Sequence, residues 1–307
     1  VYLCKRDFQE LYNFLTTPHT LLIMESLQNT KRRMKSVKNI GQITHAMELV
    51  AATKMRKSQE VTLRSRPYVF AALELLRNIA KASPPGYVPA LLQERKMKRA
   101  LFVLVASDKG LTGAFNANVF RKFEEYARVQ AEEVKGAMCM AVGEKSRLYL
   151  EKKGIHPEAT FTKAGDFAAL EEVKPISDAI LKGFLAGRWD RVAVFYTNFR
   201  SAMRQEAIRR EILPVDYAAL EAAAREIIPE SGRFAEVLKE RGLSFFKEKK
   251  SALPAGLSAK ASASAGALAA AGSEYLIEPS PETVLDELLT HLVSMQIYHI
   301  ILEANAS

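Results

Sequence analysis

The sequence predicts an α/β protein: a doubly wound, mostly parallel sheet inserted between a long N-terminal helix and a second helix at the C-terminal end. Three observations predict it. Residues 26 to about 82 read as continuous helix, interrupted only by Gly41 and Pro67 until Pro84-Pro85-Gly86 stops it. Between residues 100 and 215, short apolar runs alternate with helical stretches, the pattern of βαβ units. At Ser280-Pro281-Glu282 a capping serine, a proline at the first helical position and an acid in the first turn open a strongly apolar stretch.

The first helix carries the most information. At about 1.5 Å per residue it would extend roughly 80 Å, more than a single small core can bury. A helix of that length needs another helix or another protein. Between residues 31 and 66 lie Lys31, Arg32, Arg33, Lys35, Lys38, Lys54, Arg56, Lys57, Arg64 and Arg66, opposed only by Glu48 and Glu60. Two readings stay open for this charge: a solvated face, or a surface for an acidic partner such as nucleic acid, an anionic membrane or acidic protein loops. Met34, Val37, Ile40, Ile43, Met47 and Val50 step by three or four residues, a seam suited to packing against a second helix. Ala46, Ala51 and Ala52 permit close approach. Because the cations are spread along the helix with this seam among them, they do not form the concentrated block of a DNA-binding basic helix.

The middle of the chain supplies the sheet. Residues 100–106 (ALFVLVA) form a continuous apolar run suited to a strand buried on both faces. The turn SDKGLTGAFN and a helix over about 116–134 follow. AMCMAVG (137–143) is the second strand, 144–153 a helix, and ATFTKAG (159–165) a weaker third strand. A helix over 173–187 leads to RVAVFYTNF (191–199), the fourth strand, and QEAIRREILPV (205–215) reads as a more exposed fifth. Residues 217–273 depart from this pattern, and the Ala/Ser-rich 251–273 reads as a flexible surface insertion. YLIEP (275–279) returns to strand character. In the final helix Leu285, Leu288, Leu292 and Met295 have heptad-like spacing. Val284, Leu289, Val293, Ile297, Ile300 and Ile301 lie off that seam, so the helix should be buried on several sides.

Composition narrows the classes. At 48% apolar and 26% charged residues, with a net charge of +9, the chain is ordinarily globular and basic. Cys4 and Cys139 stand in no metal or redox spacing, which points to a reducing compartment without a disulfide framework. No run of eighteen apolar residues marks a membrane span. Residues 1–23 carry neither signal-peptide nor transit-peptide character, so Met24 is the expected natural start and residues 1–24 an extension or mis-assigned start.

Candidate chemistry is sparse. SDKGLTG (107–113) sits where α/β folds often hold phosphates, but it lacks G-x-G-x-x-G and G-K-[ST] and reads as a tight strand-to-helix turn. The histidines show no ligand spacing, and no nucleophile elbow occurs. No catalytic, cofactor-binding or metal residue is assigned. From residues alone, an α/β nucleotide-binding protein with a basic helical arm and a basic-helix nucleic-acid binder remain the competing classes.

Three segments then carry a resemblance. KRRMKSVKNIGQITHAMELVAATKMRKSQE closely resembles the N-terminal helix of the gamma-subunit family of F-type ATP synthases. SDKGLTGAFN is similar to that family's S-[ST]-D-[RK]-G-L-C-G-x-x-N turn, with Thr112 where cysteine is common. YLIEPSPETVLDELLTHLVSMQIYHIILEANAS resembles the segment leading into the family's C-terminal helix. The three lie in family order across roughly 25–215 and 274–307; the segment 217–273 has no matching counterpart.

The resemblance implies a torque-transmitting rotor subunit that catalyses nothing itself and holds no cofactor. Its terminal helices would pair as an antiparallel coiled coil inside the α3β3 head. Its α/β domain would sit at the foot, with epsilon and the c ring. It implies domains at 25–83 (first shaft helix), 84–216 (foot), 217–273 (insertion) and 274–307 (last strand and root of the second shaft helix). Lys31, Arg33, Lys35, Lys38, Lys54, Arg56 and Lys57 would meet acidic loops of the catalytic head. Met47 would be the leading coupling contact, with simple seam packing as its other reading. Met34, Val37, Ile40, Ile43 and Val50 would pack the shaft with Leu285, Leu288 and Leu292. Glu278 would lie near the c ring or epsilon, with an exposed strand end as its other reading. Asp108, Lys109 and Gly110 would determine the turn. The implied partners are the alpha, beta and epsilon subunits and the c ring, with no nucleic acid and only indirect membrane association, at the cytoplasmic face of a bacterial inner membrane. The family's second shaft helix continues well beyond the position of Ser307, so a truncated reading frame is expected.

Overall fold

The structure is a computed structural model and describes residues 27–216 and 277–307, apart from 85, 97, 131–135, 163–168 and 202–203. The expected N-terminal extension, the insertion at 217–273 and the first residues of YLIEP lie outside the described residues. Two compact units divide at Thr53/Lys54, and helix α1 (Leu27–Ala82) contributes to both.

The first unit contributes the N-terminal part of α1. Every described residue from Leu27 to Thr53 is exposed. Local bonds decorate it: Thr44 Oγ1 donates to the Ile40 and Gly41 carbonyls at 3.0 Å each, Thr53 Oγ1 to the Leu49 carbonyl at 2.8 Å, and His45 Nδ1 lies 3.4 Å from Glu48.

The second unit is built on a five-stranded sheet. Its strands are β1 (Ala100–Val105), β2 (Met138–Val142), β3 (Ala159–Phe161), β4 (Arg191–Ser201) and β5 (Arg204–Leu213), in the order β3-β2-β1-β4-β5. β1 is central and parallel to both β2 and β4, β3 is parallel to β2, and β5 returns antiparallel along β4. The helices are α2 (Phe115–Val129), α3 (Glu144–Lys152), α4 (Leu170–Leu185) and α5 (Pro281–Ala306). This is the mixed, mostly parallel α/β class that the residue pattern predicts.

The continuous apolar runs are explained by burial on both faces. Odd and even residues of β1, β2 and β4 enter different clusters, as strand geometry requires. Phe102, Leu104, Cys139, Ala141, Ala193 and Phe195 meet Val119 and Phe123 of α2 and Leu150 of α3. Phe102 packs edge-on to Phe195 at 5.9 Å and to Phe123 at 6.1 Å. On the opposite face Leu101, Val103, Val105, Met140, Val142, Val192 and Val194 lie beneath α4, α5 and the last turns of α1. Each such side chain contributes about 1.5–3 kcal/mol of burial. The end of α1 joins through Ala72, Leu73, Leu76 and Ile79, one face of a 3.6-residue repeat.

Helix boundaries follow local chemistry. Ser280 caps α5 by accepting from the Thr283 amide at 3.3 Å, as its Ser-Pro-Glu opening predicts. The helix expected over 173–187 begins earlier, at Leu170, which places Glu171 and Glu172 at its positive end and Pro175 inside it. Ile277–Pro279 forms a bend, not the expected strand: Pro279 has no amide to donate, and Ile277 packs partly on the core. α5 is buried on several sides as expected. Leu285, Leu289, Leu292, Val293, Ile297, Ile300 and Ile301 all enter the core cluster.

Two features of this core are sharply constrained. Trp189, 1% exposed, donates from Nε1 to the Ile180 carbonyl at 3.1 Å, and its ring lies directly over Gly183. A Cβ on Gly183 would fall 1.9 Å from Trp189 Cζ2. His299 of α5 is 5% exposed, and burial pulls its imidazole down to about 4. Among the described residues, no helix is long and apolar enough to cross a membrane.

Gly183→Ala is therefore expected to destabilise the second unit by about 1–3 kcal/mol through overpacking, read as a lower urea midpoint. For His299, whose folded value lies below the unfolded one, the contribution is complete above the ordinary histidine value and is lost as pH falls toward about 4. Urea midpoints between pH 7 and 4 should fall less steeply in His299→Leu than in the parent chain.

Candidate functional site

The longest exposed apolar feature among the described residues runs along the N-terminal part of α1. Met34 is 68% exposed, Ile43 60% and Met47 48%, with Leu27, Val37, Ile40, Leu49 and Val50 also open. Soluble proteins rarely leave so regular an apolar stripe exposed unless something covers it. Lys31, Arg33, Lys35, Lys38, Arg56 and Lys57 are exposed along the same helix, while Lys54 is half-buried. From Leu27 to Met47 the helix carries no acidic residue. Its C-terminal turns differ in kind, since Ala72 to Ile79 are buried in the core.

The residues of the expected shaft-packing set lie in the two different units. Met34, Val37, Ile40, Ile43 and Val50 are exposed in the first unit. Leu285 and Leu292 are 1% and 3% exposed within the core cluster, and Leu288 packs partly against it. α5 packs against α4 and β4 within the second unit. Hydrogen bonds hold the polar edge of α5. The Tyr87 hydroxyl donates to Asp286 Oδ2 at 2.7 Å, which pushes the phenol up to about 12, and the Tyr68 hydroxyl lies 3.1 Å from His291 Nδ1. Glu278 is exposed in the bend that precedes α5.

The turn after β1 is a closed structural device. Asp108 Oδ1 accepts from the Glu144 amide at 2.9 Å, tying the turn to the first residue of α3. The Ser107 amide donates to Asn116 Oδ1 at 3.0 Å. Asn116 Nδ2 donates to Ser107 Oγ at 2.8 Å and to Thr112 Oγ1 at 3.0 Å. The Ser107 hydroxyl donates to the Lys109 carbonyl at 2.6 Å. Gly143, with φ +92°, lets the adjoining strand end pass the Ala106 carbonyl, which a Cβ would meet at 1.9 Å. The side chains of Ser107, Asp108, Thr112 and Asn116 are spent on bonds within the turn and to the start of α3. Asp108 belongs to the fold as the sequence indicates; Ser107, Thr112 and Asn116 join it, and their pairing was signalled only by polar residues at both ends of a glycine-containing turn. Leu111, at φ 65° and 92% exposed, is held outward by this network.

No other constellation among the described residues offers chemistry. They contain no group of three or more His, Cys, Asp or Glu side chains placed to hold a metal. Cys139 is buried, and burial pushes its thiol up to about 11, the opposite of an activated nucleophile.

Comparison with known proteins fits a chain whose distinctive surface is a helix. A family model described as ATP synthase matches residues 26–307. The ATP synthase gamma chain of Heliobacterium modesticaldum is 32% identical over 287 residues, covering 92% of this chain and 83% of that one. That of Moorella thermoacetica is 31% identical over 284 residues, covering 92% and 82%. In fold, the chain is similar to one in the central stalk and c-ring structure of the Tetrahymena thermophila mitochondrial ATP synthase. The TM-score is 0.51 at 19% identity, with coverage of 86% of this chain and 93% of that one. The long basic helix, the locked turn and the apolar C-terminal helix thus occur in one chain whose sequence matches along nearly its whole length, and the chain belongs to the ATP synthase gamma-chain family.

Proposed function

We propose that this chain is the central-stalk rotor subunit of an F-type ATP synthase, transmitting torque between a membrane c ring and the α3β3 catalytic head. The observation that carries the reading is the change of character along α1. Its N-terminal part presents a cationic, apolar and unburied surface, while its last turns are built into the α/β core. A lever requires one part fixed to a body and another part offered to a partner. The chain catalyses nothing itself; it couples rotation to the nucleotide affinity of catalytic sites on other subunits, by making different contacts with each of their states.

In this reading Lys31, Arg33, Lys35, Lys38, Lys54, Arg56 and Lys57 meet acidic loops of the head through weak, exchangeable pairs. Met47 is the apolar coupling contact among them. Met34, Val37, Ile40, Ile43 and Val50 are covered by helix pairing and by the sleeve of the head. The α/β domain of residues 84–216 serves as the foot, and Glu278 lies toward epsilon or the c ring. Association with the membrane is peripheral, and we place it at the cytoplasmic face of a bacterial inner membrane. The bacterial origin of the gamma-chain relatives above supports that placement.

Affinity capture of the full chain from detergent-solubilised membranes is expected to recover alpha, beta, epsilon and c subunits together; recovery of none of them would contradict the assignment. The double substitution Lys35→Glu/Lys38→Glu should lower ATP-driven proton pumping by about twofold to tenfold while the chain still assembles, given the modest strength of exposed ion pairs. Unchanged pumping would remove these lysines from the head contact.

A further inference from the structure

We infer that Gly41 and Thr44 form a built-in joint in α1, at which the segment Leu27–Ile40 unwinds or bends independently of the helix that follows. Gly41 is the only glycine in this helix. Nothing lies within 4 Å of the position a Cβ would occupy there, so no close approach within the described chain requires the missing side chain. A glycine within a helix weakens it through backbone entropy, by about fivefold in the local equilibrium relative to alanine.

Thr44 acts on the same turn. Its Oγ1 lies 3.0 Å from both the Ile40 and the Gly41 carbonyl oxygens. Those carbonyls are the helix acceptors for the amides of residues 44 and 45, so the hydroxyl competes for them, a pattern that loosens and bends helices. Two weakening devices therefore bear on one turn. Thr53 makes a comparable bond to Leu49 but has no glycine beside it.

Residues 27–53 are all exposed, so among the described residues of this unit no packed core holds the turn. Lys31, Arg32, Arg33, Lys35 and Lys38 bring like charges to helical spacing before the joint, and from Leu27 to Met47 the helix carries no acidic residue. Beyond the joint the helix carries the opposite-sign pair Arg64–Glu60 at 2.6 Å, and His45 Nδ1 lies 3.4 Å from Glu48. A helical segment as short as Leu27–Ile40 is marginal by itself. Resting on the rotor reading above, the joint lets the N-terminal seam realign against successive partner surfaces while the helix beyond it stays intact. The joint itself is a property of this one helix and is tested without any partner.

Residue-resolved hydrogen exchange on the full chain tests it. Protection should step upward between Ile40 and His45, and residues 31–40 should open together. Gly41→Ala should slow exchange across 31–40 by about fivefold and leave residues 47–53 unchanged, and Thr44→Val should act in the same direction. Loss of amide protection that runs smoothly through residues 36–50 with no step, or a Gly41→Ala chain whose exchange at 31–40 is unaltered, would overturn the inference. A result of either kind leaves subunit capture from membranes, and hence the rotor assignment, unaffected.

Discussion

The architecture depends on burying one sheet from both sides. β1 lies between β2 and β4 with every residue buried, and the two faces of the sheet are closed by different sets of helices. α2 and α3, drawn from the middle of the chain, cover one face. The other is covered by α4 together with the end of α1 and the whole of α5, which come from sequence positions some two hundred residues apart. That shared face joins the two terminal helices to one body. An α/β core alone would give a module with no mechanical consequence. A core that takes up the end of one long helix and the length of another gives those helices a common anchor.

The same constraint explains what was legible in the sequence. Strands buried on both faces must be apolar at consecutive positions, so ALFVLV and RVAVFY announced themselves without alternation. The capping signal at Ser280 is local chemistry and located the start of α5 correctly. The first helix could be read across its whole length because no interruption before Pro84 is strong enough to stop it. What local pattern did not supply was destination. Leu285, Leu288 and Leu292 have spacing that suits a coiled coil, yet the sheet face takes up this helix on several sides. Heptad spacing specifies which residues share a face and says nothing about which neighbour covers it. Likewise YLIEP has strand-like composition, but Pro279 and the cap at Ser280 turn its end into a bend.

Of the candidate surface, the apolar seam and the cations were plain in the sequence, because residue type and spacing alone define them. The turn network was less visible. Asp108 serves as an acceptor for the first amide of α3, and Ser107, Thr112 and Asn116 bond one another. Those pairings depend on bringing the ends of β1 and β2 side by side, which is a tertiary event.

The central claim is that the chain acts as a rotating shaft and not as a static scaffold. Its most direct test is a single-molecule rotation assay. The chain, labelled on its exposed α/β surface, would be assembled with surface-fixed alpha and beta subunits and supplied with ATP. The account predicts unidirectional stepping of the label, dependent on ATP concentration. Hydrolysis by the assembled head with the label stationary would contradict it.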